Sequence, residues 1–198
     1  MIEVVSNSFY TEEPCMNPDL LLERKKNILE HLSMLPRKIL SLHGHDNLTD
    51  LVLHELCNER CFNIDKAAYF IDNPDFDCLR GAAGHCRADF SEHDGDIWQS
   101  PDYFVGYSQK SPFNQKVRSC MHDSSFRHKK DERETVACIA QELDLSRHGF
   151  YSWPLKNDNH GIFIYERAQD SDFEGHDDFL PEGVVLLSFC PVNVSLIP

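Results

Sequence analysis

GIFIY, at residues 161–165, is one of the two clearest strand signals in the sequence, because β-branched and aromatic side chains follow one another there without a break. VVLLSF at 184–189 predicts a second strand of the same kind. AAYFI at 67–71 and YFVGY at 103–107 predict two further strands, and the Asp-Asn-Pro turn at 72–74 stops the first of them. The later part of the chain is therefore predicted to be mostly strand.

Helical periodicity dominates the residues before these strands. The Asn-Pro-Asp sequence at 17–19 predicts a helix start, with an N-cap, a proline at the first helical position and an acidic first turn, and Pro36 predicts the helix end. Two more helices are predicted over 37–42 and 48–61, and a helical pattern returns over 132–145. Helices first and strands later predict an α+β fold, with N-terminal helices packed on a mainly antiparallel sheet.

Length and composition predict a single globular domain over residues 1–198, with 1–16 as a candidate extended N-terminal arm. The formal net charge, 19 − 33 = −14, repels phosphate backbones and argues against a nucleic-acid partner. The sequence has no secretory signal and no apolar run near the ~20 residues of a membrane span, so we expect a soluble cytoplasmic protein without a membrane partner. Its partner, a protein or a small molecule, is not identified by these patterns.

Eight cysteines and eleven histidines are the most distinctive feature of the composition. In a reducing compartment thiols stay free or bind metal, so disulfides are not expected. His54, Cys57 and Cys61 are spaced i, i+3 and i+7, which on a continuous helix places them within about 60° of one another. Thiolate and imidazole are the ligands that zinc prefers. The spacing therefore predicts a zinc site on one side of the third helix.

A structural zinc site takes four ligands, so this trio needs one more. Cys78 is the predicted fourth ligand, and His85 and Cys86 are the alternatives. The sequence contains no Cys-x-x-Cys pair, so buried small thiols beside a hydrogen-bonded histidine explain the same residues. The predicted metal ligands are His54, Cys57, Cys61 and Cys78.

Three other groups of ligand-type side chains are interpreted as turns or loops. The His-Gly-His sequence at 43–45 is followed at 47–48 by neither a carboxylate nor an imidazole. The acidic stretch 170–175 resembles the opening of a calcium loop, but Pro181 occupies the position that needs a bidentate glutamate. The carboxylates of 72–77 are typical of a turn that caps its own backbone.

Two further stretches are assigned to packing and solvation. The aromatic residues over 98–113 and 150–153 are interpreted as core, although such groups can also line a ligand pocket. The basic residues over 116–133 are interpreted as a solvated face, with an anion site as the alternative.

Three functions stay open at this level. The first is a zinc-binding protein, in which the metal is structural when four protein ligands close the shell and hydrolytic when water holds one position. The second is a non-enzymatic interaction or regulatory protein with packed, metal-free cysteines. The third is a cysteine-dependent enzyme, with Cys120 beside His122 or Cys86 beside His85.

Overall fold

The computed structural model describes residues 18–45, 48–90, 96–167 and 177–190. Within these ranges five strands form one antiparallel sheet in the order β3-β2-β1-β5-β4. The strands are β1 (Ile64–Asn73), β2 (Cys78–Cys86), β3 (Met121–His122), β4 (His148–Pro154) and β5 (His160–Arg167).

Helices precede, interrupt and follow the strands. None of the described helices is both long and apolar enough to cross a membrane. The α-helices are α1 (Pro18–Ser41), α2 (Leu48–Cys57), α3 (Pro101–Ser108), α4 (Pro112–Ser119), α5 (Glu132–Glu142) and α6 (Leu180–Val184). Short 3₁₀ segments cover Arg87–Phe90, Asp177–Phe179 and Val185–Phe189.

The sheet is buried on both faces, because successive side chains of a strand point to opposite sides. On the first face, Ala67 and Tyr69 of β1 pack with residues of α1, α2, α3 and α6. On the second face, Ala68 and Phe70 pack with α4 and α5. The predicted α+β class, with N-terminal helices on an antiparallel sheet, is confirmed.

Two predicted strands are wrong. YFVGY at 103–107 lies in α3, where Pro101 occupies the first turn and Phe104 and Ser108 are buried at helical spacing. VVLLSF at 184–189 forms the end of α6 and a 3₁₀ segment, with Val184 and Leu187 buried three residues apart. A short apolar run does not distinguish a buried strand from a buried helix, and tertiary packing decides here.

The predicted helix boundaries also need correction. Pro36 lies inside α1 and does not end it, because Leu35 and Ile39 on either side are held in the core. The predicted helix over 37–42 is therefore the last part of α1. The predicted N-cap at Asn17, the arm over 1–16 and the acidic stretch 170–175 lie outside the described residues.

Strand β2 was not predicted, because glycine and alanine are poor strand formers. Its glycines are required by the close approach of α4. A Cβ built on Gly81 would lie 1.9 Å from the carbonyl oxygen of Val117, and one built on Gly84 would lie 2.7 Å from Cγ2 of Val117. The N–H of Gly84 donates to Oδ1 of Asn114 at 2.8 Å. Helix α4 thus lies directly on the backbone of β2.

A buried carboxylate ties α2 to this contact. Asp50 accepts hydrogen bonds from Ser108 Oγ (2.9 Å), Asn114 Nδ2 (2.9 Å) and Arg118 Nη2 (2.7 Å). Burial raises the pKa of Asp50, and the charge of Arg118 opposes that rise. A buried carboxylate needs such partners, so this network fixes α2, α3 and α4 relative to one another.

We predict that Gly81→Ala lowers the free energy of unfolding by about 3 kcal/mol, because the added methyl group collides with backbone that cannot move without shifting α4. Gly106→Ala is the control, since a Cβ there meets nothing within 4 Å and Gly106 lies inside α3. It should be neutral or stabilising by up to about 1 kcal/mol. Urea unfolding followed by circular dichroism measures both, and equal effects would contradict the close approach.

Candidate metal centre

Cys120, His122 and Glu142 bring three metal-ligand side chains to one place. Cys120 Sγ lies 3.3 Å from His122 Nε2, and that nitrogen lies 3.0 Å from Glu142 Oε2. One ligand atom from each residue lies within 4.8 Å of the others. No other group of three or more ligand-type residues meets this criterion in the described part of the chain.

Strand β3 and helix α5 position these side chains. Cys120 is the C-cap residue that follows α4, and its carbonyl accepts a hydrogen bond from the N–H of Gly81 at 3.1 Å. His122 then pairs with Leu79 at the edge of the sheet. Because α5 packs its apolar side on the second face of the sheet, Glu142 at its end reaches the same edge.

The electrostatics of the cluster favour a cation. Cys120 is only 2% exposed, and burial together with the hydrogen bond and charge of Glu142 raises the pKa of its thiol to about 12. The thiol is therefore protonated at neutral pH. A divalent cation would supply the positive charge that a thiolate next to a carboxylate requires.

The same geometry argues against Cys120 as the nucleophile of the third function considered above. An activated thiol needs a lowered pKa, and that of Cys120 is raised. In addition, the sulfur and the carboxylate oxygen both contact Nε2 of His122, whereas a catalytic relay uses both ring nitrogens. The three groups converge on one point, as metal ligands do.

The distances are close to those of a tetrahedral zinc site. Zinc bonds of about 2.3 Å to sulfur and about 2.0–2.2 Å to nitrogen or oxygen separate S from N by about 3.6 Å and N from O by about 3.4 Å. The observed 3.3 Å and 3.0 Å are a few tenths of an ångström shorter. Small side-chain rotations would lengthen both distances to the values of a zinc site.

A small groove of about 270 Å³ lies beside the cluster and reaches His122. Cys138, whose thiol is exposed, lines it and lies one helical turn before Glu142 on α5. The other lining residues are Asp123, Lys130, Glu134 and Thr135. The groove gives the cluster an entry path and one more thiol.

The residues predicted from the sequence lie elsewhere. His54 belongs to a ring cluster on the first face, with ring centroids 5.0 Å from His85, 5.3 Å from Phe90 and 4.9 Å from Phe104. Cys57 ends α2, so Cys61 follows the helix and does not continue it. Burial raises the pKa of both thiols, well above the ordinary value for Cys57.

Cys78, the predicted fourth ligand, begins β2 and has Asp72, Asp77 and Arg80 as charged neighbours. The four predicted ligands do not form a group with three ligand atoms within 4.8 Å of one another, although all four are described. A shared metal on them stays a prediction.

Sequence reasoning paired Cys120 with His122 only as a nucleophile and its base, and it did not single out Glu142. The alternation Cys-x-His at 120–122 was the available signal. Glu142 lies twenty residues further on, and only the packing of α5 shows that it joins them. No protein-family model matches the chain, and no curated protein is significantly similar to it in sequence.

We predict that the free energy of unfolding falls by about 1 kcal/mol per pH unit as the pH drops below about 6.5, the pKa of an unfolded histidine. Burial, with the charges of His54 and Arg87, lowers the pKa of His85 well below that value. Below pH 6.5 His85 therefore binds a proton in the unfolded chain but not in the folded protein. Acid consequently favours unfolding.

Urea unfolding at pH 7.5, 6.5 and 5.5 measures this slope. His85→Gln should flatten it, whereas the exposed control His43→Gln should leave it unchanged. Glu55 affects the unfolding free energy only at lower pH than this range. Burial alone would raise its pKa, but hydrogen bonds from His31 and Trp98 lower it to about 2. If the unfolding free energy of His85→Gln keeps the same dependence on pH, groups other than His85 cause that dependence.

Proposed function

We propose that this protein binds one zinc ion through Cys120, His122 and Glu142. The convergence of their three ligand atoms within 4.8 Å is the observation that carries the proposal. It is supported by the charge next to the thiol: burial and, after it, the Glu142 carboxylate raise the pKa of Cys120, and a cation would attract both the thiolate and that carboxylate.

The donor set favours zinc over the hard cations. Magnesium and calcium prefer oxygen ligands alone, whereas thiolate with imidazole suits zinc, and a carboxylate is its third common ligand. Two of the three side chains are accessible to an entering ion, since His122 and Glu142 are partly exposed beside the groove.

A structural role is the one that the geometry supports best. The ligands join β3, an edge strand of two residues, to the end of α5, and so they would fix an otherwise weakly paired edge. Cys138 lines the same groove, although its sulfur is not within 4.8 Å of all three ligand atoms. A movement of its side chain to the ion would close a tetrahedral shell, whereas water in that position would make the centre hydrolytic.

Packed, metal-free cysteines in an interaction or regulatory protein are the second candidate. Burial is the observation that favours it: Cys57, Cys61 and Cys190 are buried in the core, and their pKa values are raised mainly by desolvation. Such thiols neither ionise nor react readily at neutral pH.

We predict about one equivalent of zinc per chain in protein purified without chelator, and an affinity that rises with pH because the Cys120 proton must leave. Cys120→Ser, His122→Gln and Glu142→Gln should each lower the affinity by ~100-fold or more, since loss of a group that merely orients a ligand already costs about 10–100-fold. Elemental analysis and competition with a chromophoric chelator measure both quantities.

Glu134→Gln is the matched control, because Glu134 lines the groove without belonging to the cluster. It should bind zinc as the unchanged protein does. A double variant, Cys57→Ser with Cys61→Ser, tests two of the ligands predicted from the sequence. If this variant alone loses zinc, the ion is bound at the end of α2 and not by Cys120. Protein without zinc in every preparation would favour packed cysteines.

Cys138 distinguishes the structural from the hydrolytic role. If it is the fourth ligand, zinc should slow alkylation of Cys138 by N-ethylmaleimide at least tenfold, and EDTA should restore the rate. Mass spectrometry of the labelled peptides measures it, with the half-buried Cys78 as the internal control. Zinc binding without protection of Cys138 would leave the fourth position to water.

A further inference from the structure

A cleft of about 1330 Å³ opens on the first face of the sheet. Buried aromatic rings form its floor, where Trp153 of β4 stacks on Tyr69 of β1 with ring centroids 5.6 Å apart and planes 8° apart. The 3₁₀ segment Val185–Phe189 and the next residue, Cys190, line one side. A hydrogen bond of 2.7 Å from Trp153 Nε1 to Ser188 Oγ attaches that side to the floor. Because the described residues end at Cys190, the sequence that follows begins in the wall of the cleft.

Four large apolar side chains that line this cleft are exposed. Phe76 is 81% exposed, Met121 69%, Phe189 62% and Val185 36%. Single exposed apolar side chains are ordinary, but several around one concave surface mark a contact with another apolar group. The cleft therefore fits an apolar occupant that the described residues do not include.

The arginines of the cleft do not call for a charged occupant. Arg118 is paired with the buried carboxylate of Asp50 at 2.7 Å. Arg80 lies together with Asp72 and Asp77 around the thiol at position 78. The remaining polar side chains of the lining are uncharged apart from one exposed lysine: Asn73, Lys156, Asn157, Asn159 and Ser188. An uncharged, mainly apolar group is therefore suited to this surface.

The sequence that follows Cys190 has this composition. Residues 183–198 form the longest run in the sequence without a charged side chain, although charged residues make up 26% of the chain. Eight of them, PVNVSLIP at 191–198, lie outside the described residues, and four of these eight are aliphatic. An aliphatic segment is more stable against an apolar surface than in water.

Alternation within 191–198 gives the segment an apolar and a polar side. On an extended backbone, Val192, Val194 and Leu196 lie on one side, and Asn193 and Ser195 lie on the other. Such a pattern is typical of a segment that packs one side on apolar groups and exposes the other to water.

The segment 191–198 is long enough to cross the cleft and is attached at its wall. A volume of 1330 Å³ is that of a sphere about 14 Å across, and eight residues span at most about 26–29 Å. Direct attachment gives a segment an effective concentration of about millimolar order, so modest contacts are enough to keep it in place.

From this exposed apolar cleft and the uncharged segment that begins in its wall, we propose that residues 191–198 cover the cleft of their own chain. The side of Val192, Val194 and Leu196 packs on the exposed apolar side chains, and the side of Asn193 and Ser195 faces water. A larger ligand reaches the cleft only by displacing this segment, so the segment controls access to it.

This proposal goes beyond the zinc site and does not depend on it. The cleft and the groove beside the cluster of Cys120, His122 and Glu142 share no lining residue. Loss of zinc binding therefore leaves the covered cleft standing, and an open cleft leaves the zinc proposal standing.

Two full-length variants with equal added charge test the proposal. Val192→Asp with Val194→Asp places two carboxylates on the apolar side of the segment, whereas the matched control, Asn193→Asp with Ser195→Asp, places them on the polar side. We expect the first variant to release the segment, because an unpaired carboxylate is not accommodated on an apolar surface. Alkylation of Cys78, which lines the cleft, should then become at least tenfold faster, and the control should keep the rate of the unchanged protein.

Mass spectrometry of peptides labelled with N-ethylmaleimide measures this rate in metal-free buffer, with Cys138, which lies outside the cleft, as the internal standard. The fluorescence of anilinonaphthalene sulfonate should rise in the first variant, because this dye binds exposed apolar surface. A synthetic peptide of residues 191–198 should restore the protection of Cys78 in that variant. Circular dichroism checks that both variants are folded.

Phe189→Ser tests the contact from the side of the cleft, with Leu40→Ser, an exposed residue outside the cleft, as its control. Alone it should speed the alkylation of Cys78. Combined with the Val192 and Val194 substitutions it should add little, since both changes remove the same contact. Equal alkylation rates in the two charged variants would overturn the proposal. So would protection of Cys78 that falls on dilution of the protein, because a second copy would then supply the covering segment.

Discussion

The contact between α4 and the backbone of β2 positions the elements that carry the candidate metal centre. A side chain larger than hydrogen at Gly81 or Gly84 would separate them, since Val117 already lies against both positions. The contact brings Asn114 to the buried Asp50 and the Gly84 N–H, so its polar groups are satisfied where no water could replace them. Helix α4 therefore ends at one defined place, and the chain continues from there into β3.

The geometry of the cluster of Cys120, His122 and Glu142 follows from that place. The N–H of Gly81 holds the carbonyl of Cys120, and β3 pairs with Leu79 and Arg80 of β2. In that register Cys120 and His122 point to Glu142, and Met121 between them points to the other face of the sheet. A slip of one residue in β3 would exchange the two sets of side chains. A metal ion bound by the cluster would stabilise this strand of two residues.

The sequence predicts the elements whose periodicity and packing agree. The start of α1, the helices that begin at 48 and 132, and the strands around 67–71 and 161–165 follow from local pattern, although both helices end a few residues before the predicted 61 and 145. It could not predict β2, whose glycines suit α4 and not the strand itself. It also could not predict the partnership of Cys120 and His122 with Glu142, because no fixed spacing joins an edge strand to the end of a helix twenty residues later.

Two sets of thiols in this protein have raised pKa values for different reasons, and the difference bears on which could hold a metal. For Cys57, burial dominates, the other thiol at Cys61 adds to it, and an ion entering there would itself have to lose its water in the apolar core. For Cys120, burial is joined by the hydrogen bond and charge of Glu142, whose carboxylate is partly exposed. Without a metal, the Glu142 carboxylate repels a thiolate at Cys120. When a cation binds between them, both groups are attracted to the ion. Helical spacing favours a metal site at Cys57 and Cys61, whereas the nearby carboxylate and its exposure to solvent favour one at Cys120.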